Sequence, residues 1–118
     1  MSVEMRRLVF SRDKLVSAAL EHCRRERIAL PDADVETIEV TNGVNPSLTV
    51  HFNVASPLEA DRVEISGRSL IAALDGFCER HGIPLPRGIQ KQLGGANGEL
   101  AMFYRDHLSP RFNSPAFA

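Results

Sequence analysis

The chain has no tryptophan, a single tyrosine and only two cysteines. Two cysteines are too few for a disulfide-stapled scaffold or an all-cysteine zinc site. The longest apolar stretches, such as 70–74 and 100–104, fall far short of the roughly 20 residues a membrane-spanning helix needs, and no signal-like apolar stretch opens the sequence. A net charge of −1 supplies no global attraction to nucleic acid or to an anionic membrane. The shortage of aromatic side chains also removes the stacking platform that single-stranded nucleic acids use. These absences lead to an expectation of a cytoplasmic protein with both thiols reduced and buried, with no membrane among its partners and nucleic acid only as an alternative that would have to bind locally.

What is present fits an ordinary globular chain. The 118 residues have the size of one domain, and 43% hydrophobic with 25% charged residues is a composition that folds. The main signal is internal repetition. CRRERIALP runs from Cys23 to Pro31 and CERHGIPLP from Cys78 to Pro86, an offset of 55. Over the 25 positions from Arg7 to Pro31, nine are identical at that offset: Arg7/Arg62, Ser11/Ser66, Leu15/Leu70, Ala18/Ala73, Cys23/Cys78, Arg25/Arg80, Ile28/Ile83, Leu30/Leu85 and Pro31/Pro86. Unrelated segments would share about one or two. Further on, with a loop three residues shorter in the second copy, Leu48/Leu100, Val50/Met102 and Phe52/Tyr104 align.

Each copy reads as strand, helix, strand, strand. MRRLVF and RVEI alternate apolar and polar residues as strands do. Ser11 and Ser66 stand where a helix N-cap is expected. Leu15, Val16, Ala19 and Cys23, and their counterparts Leu70, Ile71, Leu74 and Cys78, form one apolar stripe of an amphipathic helix. Gly82 suits the left-handed position after a helix end, and Arg27 at the matching place is expected to carry strain. VETIEV with SLTVHFNV, and GIQKQL with ELAMFY, read as hairpins turned by Asn42-Gly43 and Asn97-Gly98. The expected fold is therefore α+β: a βαββ unit written twice, with two helices on one face of a mainly antiparallel sheet of about six strands. The domain is expected to span 1–105, as repeats 3–57 and 58–105, followed by a tail over 106–118 in which Phe112 and Phe117 are spaced apolar anchors.

Paired βαββ-like units resemble those of the vicinal-oxygen-chelate superfamily, whose two modules shape a metal site between them. Here each unit is one strand short, and the inner strand positions carry Phe10, Ile65, Val50 and Met102 where that resemblance would require His and Glu. No metal or other cofactor is expected. Cys78 and His81 are the only close pair of metal-ligating or nucleophile-and-base type, and a buried thiol beside a helix-end histidine is the ordinary reading of it. Gly94-Gly95-Ala96-Asn97-Gly98 precedes a strand rather than opening a helix, so it reads as a hairpin tip and not a phosphate loop.

No catalytic residue is singled out, and an enzyme is not the expectation. The sequence points to a non-catalytic protein-interaction or regulatory module, with a protein partner or a second copy of itself as ligand. Two other readings stand beside it: a small-molecule site or small enzyme in the cleft between the repeats, and weak nucleic-acid binding through arginine-rich helix ends. The residues expected to meet a partner are Arg24, Arg25, Arg80 and Arg87 at the helix ends, the oppositely charged matched pair Glu36 and Lys91, and Phe103 as an exposed strand aromatic.

Overall fold

The computed structural model describes residues 2–55, 61–85 and 90–108. The elements follow as β1 (Ser2–Phe10), α1 (Arg12–Arg25), β2 (Val35–Val40), β3 (Ser47–Phe52), β4 (Arg62–Ser66), α2 (Gly67–Arg80), β5 (Lys91–Ala96) and β6 (Glu99–Leu108). Strand, helix, strand, strand thus occurs twice along the chain. β6 continues to Leu108, three residues into the segment read as a tail. Residues 109–118 and Arg87 lie outside the described residues.

The expected single sheet of about six strands is instead two antiparallel sheets of three. Sheet A has the order β1-β6-β5 and sheet B the order β2-β3-β4. Each combines the hairpin of one half of the chain with the opening strand of the other. Ser2 to Phe10 pair in register with Leu108 to Leu100, and Arg62 to Ser66 with His51 to Ser47. Neither half therefore contains a complete sheet, and the two halves are interlocked.

One isolated bridge joins the sheets: Gly43 and Gly95 exchange two backbone hydrogen bonds of 3.0 Å. Gly43 belongs to the loop after β2, which is closed at its base. Thr41 N–H donates to the Ser47 carbonyl at 3.1 Å, and Ser47 N–H donates to Thr41 Oγ1 at 2.8 Å. The approach is close enough that a Cβ on Gly95 would stand 2.1 Å from the Thr41 carbonyl oxygen, so no residue with a side chain fits there without displacement. Asn42-Gly43 accordingly sits inside a longer loop, whereas Asn97-Gly98 makes the tight turn foreseen for it, with φ of 54° and 77°.

The repeated phrase has a structural meaning. At the end of α1 the N–H of Ile28 donates to the Cys23 carbonyl at 2.8 Å and that of Arg27 to Arg24 at 3.3 Å; at the end of α2 the N–H of Ile83 donates to Cys78 at 2.9 Å. These are the bonds of a Schellman cap, which requires a left-handed residue between. Gly82 supplies it at φ 69° without strain, and Arg27 adopts it at φ 57° despite its side chain. The residues after each cap return to the core, where Leu30, Ile83 and Leu85 pack in part, while Ile28 stays exposed. At the other helix ends Ser11 and Ser66 hold the extended N-cap conformation, but neither hydroxyl makes the expected capping bond.

One core fills the space between the helices and the inner faces of both sheets. α1 contributes Leu15, Ala18, Ala19 and Cys23, and α2 contributes Leu70, Ala73, Leu74, Phe77 and Cys78. The buried alanines leave room for the helices to approach, and α1 meets α2 more extensively than any strand. Leu15, Leu70 and Leu74 are fully buried, each contributing roughly 1.5–3 kcal/mol of apolar transfer. Phe10, Ile65, Val50 and Met102, the inner strand positions, are core residues. No helix among the described residues is long and apolar enough to cross a membrane.

Candidate interaction face

Alternation along a strand sends successive side chains to opposite faces, so register decides what each sheet shows on its outer side. In sheet B the inner positions are Leu48, Val50 and Phe52 with their partners Val40, Ile38, Ile65 and Val63. The outer positions form three rows across the strands: Thr37, His51 and Arg62; Glu39, Thr49 and Glu64; Thr41, Ser47 and Ser66. This is an ordinary solvated face, polar at every place. His51 Nε2 lies 2.5 Å from Glu39 Oε1 across it.

The outer rows of sheet A run Arg7, Phe103 and Gln92; Val9, Ala101 and Gly94; then Glu99 and Ala96. At the offsets of the internal repeat the two faces correspond row by row. Glu64 is replaced by Val9, Thr49 by Ala101, Glu39 by Gly94, His51 by Phe103 and Thr41 by Ala96. Five polar positions on one sheet are apolar or bare backbone on the other. The rows continue outward to Met5 opposite Arg105, beyond the end of β5.

The face is also hollow. A depression of about 240 Å³ opens over Arg7, Val9, Gly94, Ala96, Ala101 and Phe103. A groove of about 570 Å³ adjoins it across Gly94 and Phe103 and runs beside the free edge of β5, walled by Val44, Pro46 and Ile71. Gly94 makes the hollow possible, because a Cβ there would come within 3.1 Å of the Phe103 ring. Met5, Val9 and Val44 are exposed by 62%, 37% and 81%, so three of the four large exposed hydrophobic residues among those described border this one surface. The groove also has backbone to offer: the outward N–H and C=O of Gly95 engage Gly43, and by the alternation of an antiparallel ladder Leu93 and Lys91 turn the same groups outward along it.

The ionisable clusters serve other purposes. Glu21 on α1 accepts hydrogen bonds from Arg80 Nε at 2.7 Å and His81 Nε2 at 2.9 Å, tying the end of α2 to α1. The His81 ring stacks on Phe77 with centroids 4.2 Å apart. The hydrogen bond from His81, helped by Arg80, holds the Glu21 carboxyl below its ordinary pKa against the opposing effect of partial burial. Lys91, 8% exposed, places Nζ 3.3 Å from Asp75 Oδ1 and donates to Oδ2 at 3.4 Å. Asp75 Oδ1 is buried without a hydrogen bond of its own. Burial pushes both thiols up, and at Cys78 the nearby Asp75 adds to the effect. No three His, Cys, Asp or Glu side chains converge among the described residues.

The residues expected from sequence to meet a partner fall in three places. Arg25 and Arg80 come together, their guanidinium groups both lying over Gly76 of α2, and Arg24 is exposed on the neighbouring turn. Arg80 is neutralised there by Glu21. Glu36 is exposed at a bulge in β2, its carbonyl accepting a long bond from Arg12 at 3.5 Å. Its counterpart Lys91 points inward to Asp75, so the expected charge difference between the two halves is not displayed to solvent at this pair. Phe103 alone lies at the centre of the apolar face. Val9, Ala101 and Gly94 escaped sequence reasoning, although the polar residues matched to them in the other copy were legible at the same offsets. Comparisons with protein-family models, with curated proteins and with solved structures return no match to this chain.

Proposed function

We propose that this protein is a non-catalytic interaction module, built from two copies of a βαββ unit, that binds an extended apolar segment of a partner protein on the outer face of sheet A. The observation that carries the reading is the central row Val9, Ala101 and Gly94, set against Glu64, Thr49 and Glu39 in the matching row of sheet B. In a duplicated scaffold the two faces begin equivalent. Solvation alone keeps an outer face polar, as sheet B shows; a face that gathers apolar residues around a hollow is one that is covered in use. Phe103 supplies the kind of half-buried aromatic anchor on which binding energy concentrates. The thiols, held protonated by burial, are poor nucleophiles, which supports a role without covalent chemistry. Two unpaired cysteines in a folded chain also support a reducing, cytoplasmic setting.

The experiment is a comparison of baits. Val9→Glu with Phe103→His gives sheet A the residues found at the matched positions of sheet B; Glu39→Ala with His51→Ala alters sheet B. Proteins retained by the wild type and the sheet B variant but lost from the sheet A variant are the expected result. The same set on all three folded baits contradicts the proposal.

One observation favours a second reading. The groove of about 570 Å³ has the volume of a small-molecule site and lies between the loop of the first half and α2 with β5 of the second. A ligand that stabilises the wild type but not an Ile71→Trp variant, in which the groove is filled, would establish that use.

A further inference from the structure

We infer that the groove beside β5 binds a small amphipathic carboxylate, whose apolar body lies on Ile71, Leu93 and Phe103 and whose carboxylate accepts hydrogen bonds from the ammonium of Lys91. The inference rests on the small-molecule reading of the groove given above and names the class of ligand it takes.

The lining sets the character of the ligand. Val44, Pro46, Ile71, Leu93 and Phe103 give the groove of about 570 Å³ its apolar walls. Small-molecule sites pair such walls with a few polar groups that fix orientation. Here one of those groups carries a full charge: among the described residues Lys91 is the only ionisable one on the wall. Gly67, also on the wall, opens α2, whose first turn holds no acidic residue and whose preceding Ser66 hydroxyl makes no cap. The positive end of that helix adds potential of the same sign as Lys91.

Lys91 is also short of partners. Its side chain is 8% exposed, so solvent reaches little of it. An ammonium carries three N–H donors. Asp75 Oδ2 accepts one of them at 3.4 Å and Oδ1 lies 3.3 Å away, both longer than the roughly 2.7–2.9 Å of a good charge-assisted bond. Among the described residues Asp75 is its only partner. Unengaged donors on a nearly buried charge are costly, and a carboxylate that accepts from them removes that cost.

The same arrangement excludes other head groups. Asp75 is not on the groove wall, so a ligand meets the cation of the pair and not its anion. A ligand ammonium would be repelled there, and an alcohol gains only a weaker bond. A dianion exceeds what one ammonium, already shared with Asp75, can neutralise. A single carboxylate on an apolar body is the class that remains.

The test titrates the isotope-labelled full chain with octanoate, octanol and octylamine and follows the amide shifts. The three probes share an apolar chain and differ in the head group. Octanoate should shift Gly67, Ile71, Leu93 and Gly94 saturably, leave Glu39 and Thr49 in place, and bind about tenfold more tightly than octanol, with octylamine weakest. Lys91→Met should bring octanoate and octanol to equal affinity. Asp75→Asn, which frees Lys91 from its competitor, should hold octanoate at least as tightly as the wild type does. Octanol binding as well as octanoate in the wild type, or a preference for octanoate that survives Lys91→Met, would overturn the inference. So would unmoved amides at these four residues with octanoate at about 10 mM. The Ile71→Trp comparison above judges the groove separately: acid and alcohol of equal affinity, both excluded by Ile71→Trp, leave the groove standing and remove only the carboxylate.

Discussion

Replacing Gly95 by alanine strikes the only hydrogen-bonded connection described between the two sheets. The added methyl group would stand 2.1 Å from the Thr41 carbonyl oxygen, 2.9 Å from Val40 Cγ1 and 3.2 Å from Pro46 Cβ. Relief requires the loop after β2 to retreat by about 1 Å or more, since non-bonded carbon contacts settle near 3.5–4.0 Å. That loop is pinned at its base by the two Thr41–Ser47 hydrogen bonds, so the retreat comes at the expense of the Gly43–Gly95 pair. Losing two backbone bonds costs about 0.5–1.5 kcal/mol each, and overpacking adds about 1–3 kcal/mol. The expected destabilisation is therefore about 2–6 kcal/mol, a large share of the roughly 5–15 kcal/mol that keeps a domain folded. The neighbouring Gly94→Ala is the control. It lies in the same strand but faces outward, and its closest neighbour at 3.1 Å is the tip of the Phe103 ring, which can turn aside. Its backbone entropy gain of about 0.4–1 kcal/mol leaves it near neutral. Urea unfolding of the two variants and the wild type measures the difference, with an unchanged slope showing that the folded and unfolded ensembles are comparable. A Gly95→Ala variant within about 1 kcal/mol of Gly94→Ala would refute the close approach and with it the idea that the sheets are locked at this bridge.

Three further outcomes follow from the same physical reasoning. Arg27→Gly should raise stability by about 1 kcal/mol in urea, by removing a side chain from the left-handed position of the α1 cap, whereas Gly82→Ala should lower it by a similar amount; no change in either would contradict the cap geometry. Glu21 has a folded pKa below its unfolded value, so its contribution is present above the unfolded value and lost as pH falls through the folded one; wild type should lose up to about 1 kcal/mol more than Glu21→Gln on acidification from pH 6 to below 4. Parallel stability curves would show that the Glu21–Arg80–His81 link contributes nothing. A neutral aromatic disulfide reagent should modify Cys23 and Cys78 only at the rate of unfolding, because both are buried and protonated; fast modification of the native protein would place a thiol at the surface.

Local pattern carried much of the fold. β2 matches VETIEV, both helices begin immediately after the serines read as their caps, and the strain assigned to Arg27 is present at φ 57°. These features depend on residues a few positions apart. Pairing does not: β1 and β6 stand at opposite ends of the chain, and no local signal states that the opening strand of each half joins the other half's hairpin. The division into two sheets was illegible for that reason. Capping failed differently, since Ser11 and Ser66 have the right backbone conformation but neither hydroxyl makes the capping bond. At the candidate site, Phe103 was recognisable as an aromatic on a strand, but its neighbours Val9 and Gly94 come from two other strands and join it only through register. Lys91 was read as a surface charge from its sign, opposite to that of Glu36 at the matched position, although alternation places it on the same side as buried Leu93, and there it turns inward to Asp75.

The most direct test of the interaction face uses the position matched in sequence on sheet B as its control. A photoreactive phenylalanine analogue is placed at position 103 in one sample and at the matched position 51 in another, and each is irradiated in living cells. Adducts with a defined partner protein formed from position 103, absent from position 51 and lost when Val9→Glu is added, are the predicted result. Adducts of equal yield from the two positions, or from position 51 alone, would contradict the assignment of sheet A as the face that binds.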